Sequence, residues 1–122
     1  MKEELVRDFL IGIAKAEEVI TYSELCKAQY KDLDYNRITD QYKLYESLTS
    51  ISEYENAQGR PLLSVLVVNE ATKVPGGGFF KMASRLKKYD GDERKDARIS
   101  FFKRELEDTY KYWKNRSIRI RE

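Results

Sequence analysis

Arg60-Pro61-Leu62-Leu63-Ser64-Val65-Leu66-Val67-Val68-Asn69 is the only stretch of this chain apolar and β-branched enough to be a fully buried strand. A short continuous apolar run bounded by turn residues reads as a core strand rather than a helix. After the polar Glu70-Ala71-Thr72-Lys73 comes Val74-Pro75-Gly76-Gly77-Gly78-Phe79-Phe80. Pro75 and three successive glycines predict a sharp turn with positive φ, after which helix-forming residues resume at Lys81 and run to about Tyr89. Strand, hairpin tip, tight turn and helix together make the end of a winged-helix-like module.

Working outward, Leu5, Val6, Phe9, Leu10 and Ile13 recur at three- and four-residue spacing between charged positions, which predicts a first amphipathic helix. Val19-Ile20-Thr21-Tyr22 reads as a brief strand, and Ser23 with Glu24 offers the N-cap of a second helix running to Gln29. Lys31 to Asn36 is a polar loop. Ile38, Tyr42, Tyr45, Leu48, Ile51 and Tyr54 then predict the inward face of a third helix, stopped by Gly59 and Pro61. Beyond the charged loop Asp90 to Lys95, Ile99, Phe102, Leu106, Tyr110 and Trp113 align on one side of a last helix, with Arg104, Glu107, Asp108 and Lys111 outward. The expected fold class is α+β: a winged helix-turn-helix-like, helix-rich domain with a small two- to three-stranded antiparallel sheet and an additional C-terminal helix. It forms one domain over residues 1–122, and 117–122 reads as a half-exposed strand or a flexible basic tail.

Composition narrows the function classes. A chain of 122 residues supports a single core. With 23 Lys+Arg against 21 Asp+Glu, the net charge of +2 makes no strong field, so a nucleic-acid site would have to be a local basic patch. The single cysteine, Cys26, cannot form an internal disulfide, and Met1-Lys2-Glu3-Glu4 does not read as the start of a signal peptide. The longest apolar run is far below the roughly 20 residues of a membrane span. A cytoplasmic chain with no membrane partner is expected. Histidine is absent, which removes the usual general base and the commonest metal ligand. A non-enzymatic protein follows, with no metal and no cofactor.

Ile20-Thr21-Tyr22-Ser23-Glu24-Leu25, followed by Leu62 to Asn69 and the glycine turn, resembles the winged-helix DNA-binding domain of the alkylguanine DNA alkyltransferases and their alkyltransferase-like relatives, over Val19 to Met82. The resemblance implies a DNA-binding fold. In that family the counterpart of Leu63 to Val67 carries a Pro-Cys-His-Arg motif whose cysteine takes the alkyl group. Here the positions read Leu63-Ser64-Val65-Leu66, so alkyl transfer is excluded. The family also places small residues and an arginine in the recognition helix, where this chain has the bulkier Gln41-Tyr42-Lys43-Leu44-Tyr45-Glu46-Ser47, which does not support base flipping in the family's manner. Tyr22 to Leu25, Gly59 to Ser64, Pro75 to Phe80 and Tyr110 to Trp113 also look like a set of small stand-alone bacterial proteins, a resemblance that brings no chemistry with it.

Two partner classes compete. For nucleic acid, the candidate contacts are Lys81, Arg85, Lys87 and Lys88 along the fourth helix, Lys73 at the hairpin tip and Lys43 on the third helix, while Lys111, Lys114, Arg116, Arg119 and Arg121 crowd the C-terminus. The alternative is a protein-binding inhibitor of immunity or antitoxin type, which would meet a cognate protein through Tyr42, Glu46, Tyr54 and Arg60. Arg60 has a plainer reading as an ion-pair partner of Glu53 or Glu55. Gly76-Gly77-Gly78 with Lys81 can cradle a phosphate, or simply turn the chain. Cys26, between Leu25 and Ala28, reads as a small core residue rather than a nucleophile. Glu93-Arg94-Lys95 matches a fragment of metal nucleases but sits in a charged stretch that reads as a solvated loop.

Overall fold

The computed structural model describes residues 2–116, which form a helix-rich α+β arrangement of five α-helices, one 3-10 helix and two short strands. The segment 117–122, read above as a strand or a basic tail, lies outside the described residues. No described helix is long and apolar enough to cross a membrane.

The first helix, α1 (Lys2–Lys15), buries Val6, Leu10, Ile11 and Ala14 completely. Strand β1 (Ile20–Thr21) leads directly into α2 (Tyr22–Gln29). Its N-cap is Thr21 rather than the expected Ser23: Thr21 Oγ1 accepts from the Glu24 amide at 3.2 Å, and Glu24 Oε1 accepts from the Thr21 amide at 3.1 Å. This reciprocal box satisfies two donors at once, which a cap two residues later could not do with Glu24. Cys26 is 2% exposed in the core, as its neighbours predict.

The third helix, α3 (Ile38–Ala57), ends at Gly59, whose φ of 75° suits a residue without Cβ. The Gly59 amide donates to the Asn56 carbonyl at 3.0 Å and the Arg60 amide to the Glu55 carbonyl at 2.9 Å, a Schellman closure. The inward face of α3 differs from the expected one. Leu44, Leu48, Ile51, Ser52 and Glu55 are buried, whereas Ile38, Tyr42 and Tyr54 are 63%, 60% and 53% exposed. The apolar pattern misleads because two polar residues occupy core positions.

The apolar run after Pro61 is buried throughout but is mostly not a strand. Leu63–Leu66 winds into a 3-10 helix, and only Val67–Val68 is extended, forming β2. Helices α1 and α3, together with α5 (Lys95–Trp113), pack around the 3-10 helix, and their side chains take over its backbone groups. The Leu62 amide donates to Glu105 Oε2 at 2.8 Å and the Ser64 amide to Ser52 Oγ at 3.0 Å, while Ser64 and Ser52 hydroxyls pair at 2.7 Å. With these partners buried amides need no neighbouring strand.

The sheet is also not the antiparallel one expected. β1 and β2 pair in parallel, Ile20 opposite Val67 and Thr21 opposite Val68. Parallel strands need a long crossover, and α2 and α3 supply it. No third strand forms among the described residues, because the segment after β2 closes on itself. The Asn69 amide donates to the Val74 carbonyl and the Lys73 amide to the Asn69 carbonyl, both at 2.9 Å. Pro75 then has no N–H, and the Gly76 amide is taken by the Tyr22 hydroxyl at 2.9 Å.

The fourth helix, α4 (Gly77–Arg85), corrects the reading of the glycine run and stops short of Tyr89. Gly76 is the N-cap at φ −72°, and Gly77 and Gly78 are in the first turn, so none of the three serves a positive-φ bend. A Cβ would meet nothing closer than 3.7 Å at Gly76 or 3.9 Å at Gly77, and nothing at all at Gly78. Along α5 the buried residues are Phe101, Phe102, Glu105, Thr109 and Trp113, while the expected Ile99, Leu106 and Tyr110 are half-buried beside them.

Candidate functional site

A partly enclosed cleft of about 180 Å³ lies where α3, the loop after β2 and the start of α4 converge. Tyr45, Leu48 and Thr49 wall it from α3, Asn69 from the loop, and Gly76, Gly77, Gly78, Phe79 and Met82 from α4, with Tyr22 and Ser64 completing the lining. A few polar groups converging on a largely apolar hollow are the usual make-up of a ligand site.

Tyr22 organises this cleft. It starts α2, and its hydroxyl reaches across 54 residues to accept the Gly76 amide at 2.9 Å. Its ring lies parallel to Tyr35, centroids 6.3 Å apart, and edge-on to Tyr45 at 5.4 Å. Burial pushes the Tyr22 phenol up to about 12, against the smaller opposing effect of the Gly76 amide. Tyr35 is also raised, first by burial and then by its hydroxyl bond to Tyr45. A raised tyrosine pKa means that the folded state prefers the neutral phenol. The stability this contributes is complete below about pH 10 and, for Tyr22, is lost as pH rises through about 12. In an alkaline titration followed by phenolate absorbance, Tyr22→Phe should therefore delete a late-ionising phenol; loss of an early one would contradict the burial.

The first turn of α4 is left open. No side chain caps it, and the amides of Gly77 and Gly78 lie in the turn that has no intrahelical acceptor. Since neither φ nor internal crowding calls for glycine at 77 and 78, the effect of the run is to keep this wall of the cleft free of side chains.

The six basic candidates fall into two groups. Arg85 pairs with Glu53 at 2.5 Å on the surface, and Lys88 pairs at 2.7 Å with Glu105, whose other contact is the Leu62 amide. Lys43, Lys73, Lys81 and Lys87 are exposed and have no ion-pair partner among the described residues. Lys73 and Lys87 are also held at φ 63° and 66°, where a Cβ is unfavourable. At Lys87 the cause is visible: α4 closes by a Schellman pattern, Lys87 to the Ser84 carbonyl at 3.0 Å and Lys88 to the Ala83 carbonyl at 2.9 Å, with lysine where glycine is normal.

Of the alternative partner residues, Tyr42 and Glu46 are exposed on α3. Arg60 is not a free surface group. Glu55, wholly buried, receives Arg60 Nε at 2.6 Å on one oxygen and Arg7 Nε on the other, and both guanidinium groups lie over the Tyr54 ring at 5.5 and 5.6 Å. Arg94 is engaged by Asp92 at 2.7 Å, which holds the Asp92 carboxyl down at about 2 and leaves Glu93-Arg94-Lys95 as loop and helix start. Among the described residues no group of three His, Cys, Asp or Glu is placed to hold a metal.

The sequence reading missed the cleft itself; it named Glu55 as one of two ion-pair partners for Arg60, which the structure shows, but missed that Glu55 is buried and that Arg7 joins it. Glu55 stands four residues after Ile51 and seven after Leu48, so the helical register that predicts a buried Leu48 and Ile51 also turns Glu55 inward. No family model, curated protein or solved structure matches this chain.

Proposed function

We propose that this chain is a non-enzymatic, winged-helix-like module that binds nucleic acid through the cleft and through exposed lysines on the segments that wall it. One observation carries the reading: each of the three segments that wall the cleft bears an exposed lysine without an ion-pair partner among the described residues, Lys43 from α3, Lys73 from the loop and Lys81 from α4. Lys87 follows at the end of α4. The uncapped glycine turn offers amides for a phosphate, and the half-buried Tyr45 offers aromatic surface for a base. The resemblance to alkyltransferase-like DNA-binding domains points the same way. Four phosphate contacts on a single strand correspond to a salt slope of roughly −3, a modest and salt-sensitive affinity.

The strained lysines provide a test that unfolding cannot imitate. Replacing Lys73 and Lys87 with glycine removes two cations while relieving a left-handed backbone at each site. The double variant should melt at or above the wild-type temperature, yet bind a single-stranded oligonucleotide more weakly, its salt slope shallower by roughly one unit per lost contact. Unchanged affinity and slope would overturn the reading. Arg85 and Lys88 are poorer probes, since reversing Lys88 would press a second carboxylate against the buried Glu105.

A second reading, the protein-binding inhibitor of immunity or antitoxin type, has its own observation. Ile38 and Tyr42, one turn apart on α3, are 63% and 60% exposed, with Glu46 a further turn along. A protein anchored there would be released by Tyr42→Ala, a change that should leave oligonucleotide binding intact.

A further inference from the structure

We infer that Tyr35 is a positioning residue for the cleft: it lies outside the lining and fixes the two tyrosines that form it. The inference rests on the binding function proposed above. Tyr35 belongs to the loop between α2 and α3, and its ring stacking and its hydroxyl bond are both with cleft residues. Its ring stacks on Tyr22 with an interplanar angle of 2°, and its hydroxyl meets the Tyr45 hydroxyl at 2.9 Å. Tyr22 and Tyr45 meet edge to face at 78°, so the three rings brace one another. Tyr22 in turn holds the Gly76 amide, which links the loop to the start of α4.

The brace has a firm base. The Asp34 amide donates to Asp40 Oδ2 at 2.9 Å, the Asn36 amide to Asp34 Oδ1 at 3.0 Å, and Gln41 Nε2 to the Tyr35 carbonyl at 2.7 Å. The first turn of α3 thus grips the loop at Asp34 and at the Tyr35 carbonyl, and the loop is closed on itself by the Asn36–Asp34 bond. Burial, followed by the Tyr45 hydroxyl bond, raises the Tyr35 phenol, so its hydroxyl stays neutral into the alkaline range. Without the hydroxyl pair the Tyr45 ring loses the contact that orients its polar end, and the wall facing a ligand is no longer held in one pose. A preorganised wall binds more tightly because less has to be ordered on association.

Tyr35→Phe keeps the ring and deletes only the hydroxyl. Measured with a single-stranded oligonucleotide at low salt, Tyr35→Phe and Tyr45→Phe should each weaken binding by about fivefold, the effect of one hydrogen bond. The double variant should be no weaker than either single one, because both remove the same bond. The salt slope should stay at the wild-type value, since no phosphate contact is lost. Wild-type affinity in folded Tyr35→Phe, or additive losses in the double variant, would overturn the inference. A second measurement needs no ligand: amide resonances of Gly76, Gly77 and Gly78 should shift in Tyr35→Phe, and unchanged resonances would also overturn it. If the wild-type protein binds no nucleic acid, the function proposed above falls and these amide resonances decide the role of Tyr35 alone.

Discussion

Replacing Glu55 with alanine should lower the melting temperature by on the order of 10–20 °C, corresponding to roughly 3–5 kcal/mol for a buried ion pair that loses one partner. Glu55 has no exposed surface, and it accepts from both Arg7 and Arg60, whose side chains are 16% and 11% exposed. Alanine leaves two guanidinium groups facing each other in a poorly solvated space, beside the buried Trp113 ring that Arg7 also covers. The damage comes from the unpaired cations rather than from losing a strong attraction, because desolvation offsets most of the Coulomb gain in such clusters. Glu55→Gln, which keeps the shape and a single acceptor oxygen, should fall between wild type and alanine. Thermal unfolding followed by circular dichroism checks this, and an alanine variant melting with the wild type would show that the cluster is solvated.

Val65→Asp should prevent folding altogether. Val65 is fully buried in the 3-10 helix, which α1, α3 and α5 enclose. A carboxylate there has no cation among the described ion pairs of the 3-10 helix, and the adjacent Ser64 is already bonded to Ser52. Burying an unpaired charge costs several kcal/mol, comparable to a total stability of roughly 5–15 kcal/mol. Loss of the cooperative unfolding transition is the expected result; a soluble variant with wild-type melting would contradict the placement of this residue at the centre of the core.

The same region shows how far the sequence can be read. That Leu62 to Val68 lies in the core follows from composition alone, because no other run is as apolar. That it forms a 3-10 helix does not, since a fully buried segment shows no periodicity to tell one backbone shape from another. The deciding groups are Glu105 and Ser52, 43 and 12 residues away in sequence from the amides they bind. The strand pairing was hidden for a related reason. A polar tip between an apolar run and a glycine run looks like a hairpin, and only the bonds from Asn69 to Val74 and from Gly76 to Tyr22 show that no return strand pairs with β2.

Helix registers were legible only in part. On α1 the pattern and the burial agree at Val6 and Leu10, but the expected Leu5 is 63% exposed and Ile11 is buried in its place. On α3 the buried Ser52 and Glu55 displace Tyr54 outward, and the pairs that make their burial tolerable lie on distant segments. The candidate site was partly legible. Lysines could be counted, but Glu53 and Glu105 neutralise Arg85 and Lys88 through contacts between separate elements, leaving Lys43, Lys73, Lys81 and Lys87 as the candidates without an ion-pair partner among the described residues. The glycine run was correctly conspicuous, although its position at the start of α4, rather than in a turn of positive φ, changes what it offers a ligand.

The most direct test of the proposed function is an amide-shift titration of the protein with a short single-stranded oligonucleotide at low salt. The account predicts the largest changes at Asn69, Lys73, Gly76, Gly77, Gly78 and Lys81, fading as salt rises. No change at any salt concentration, or changes confined to the outer face of α3 around Ile38 and Tyr42, would contradict it.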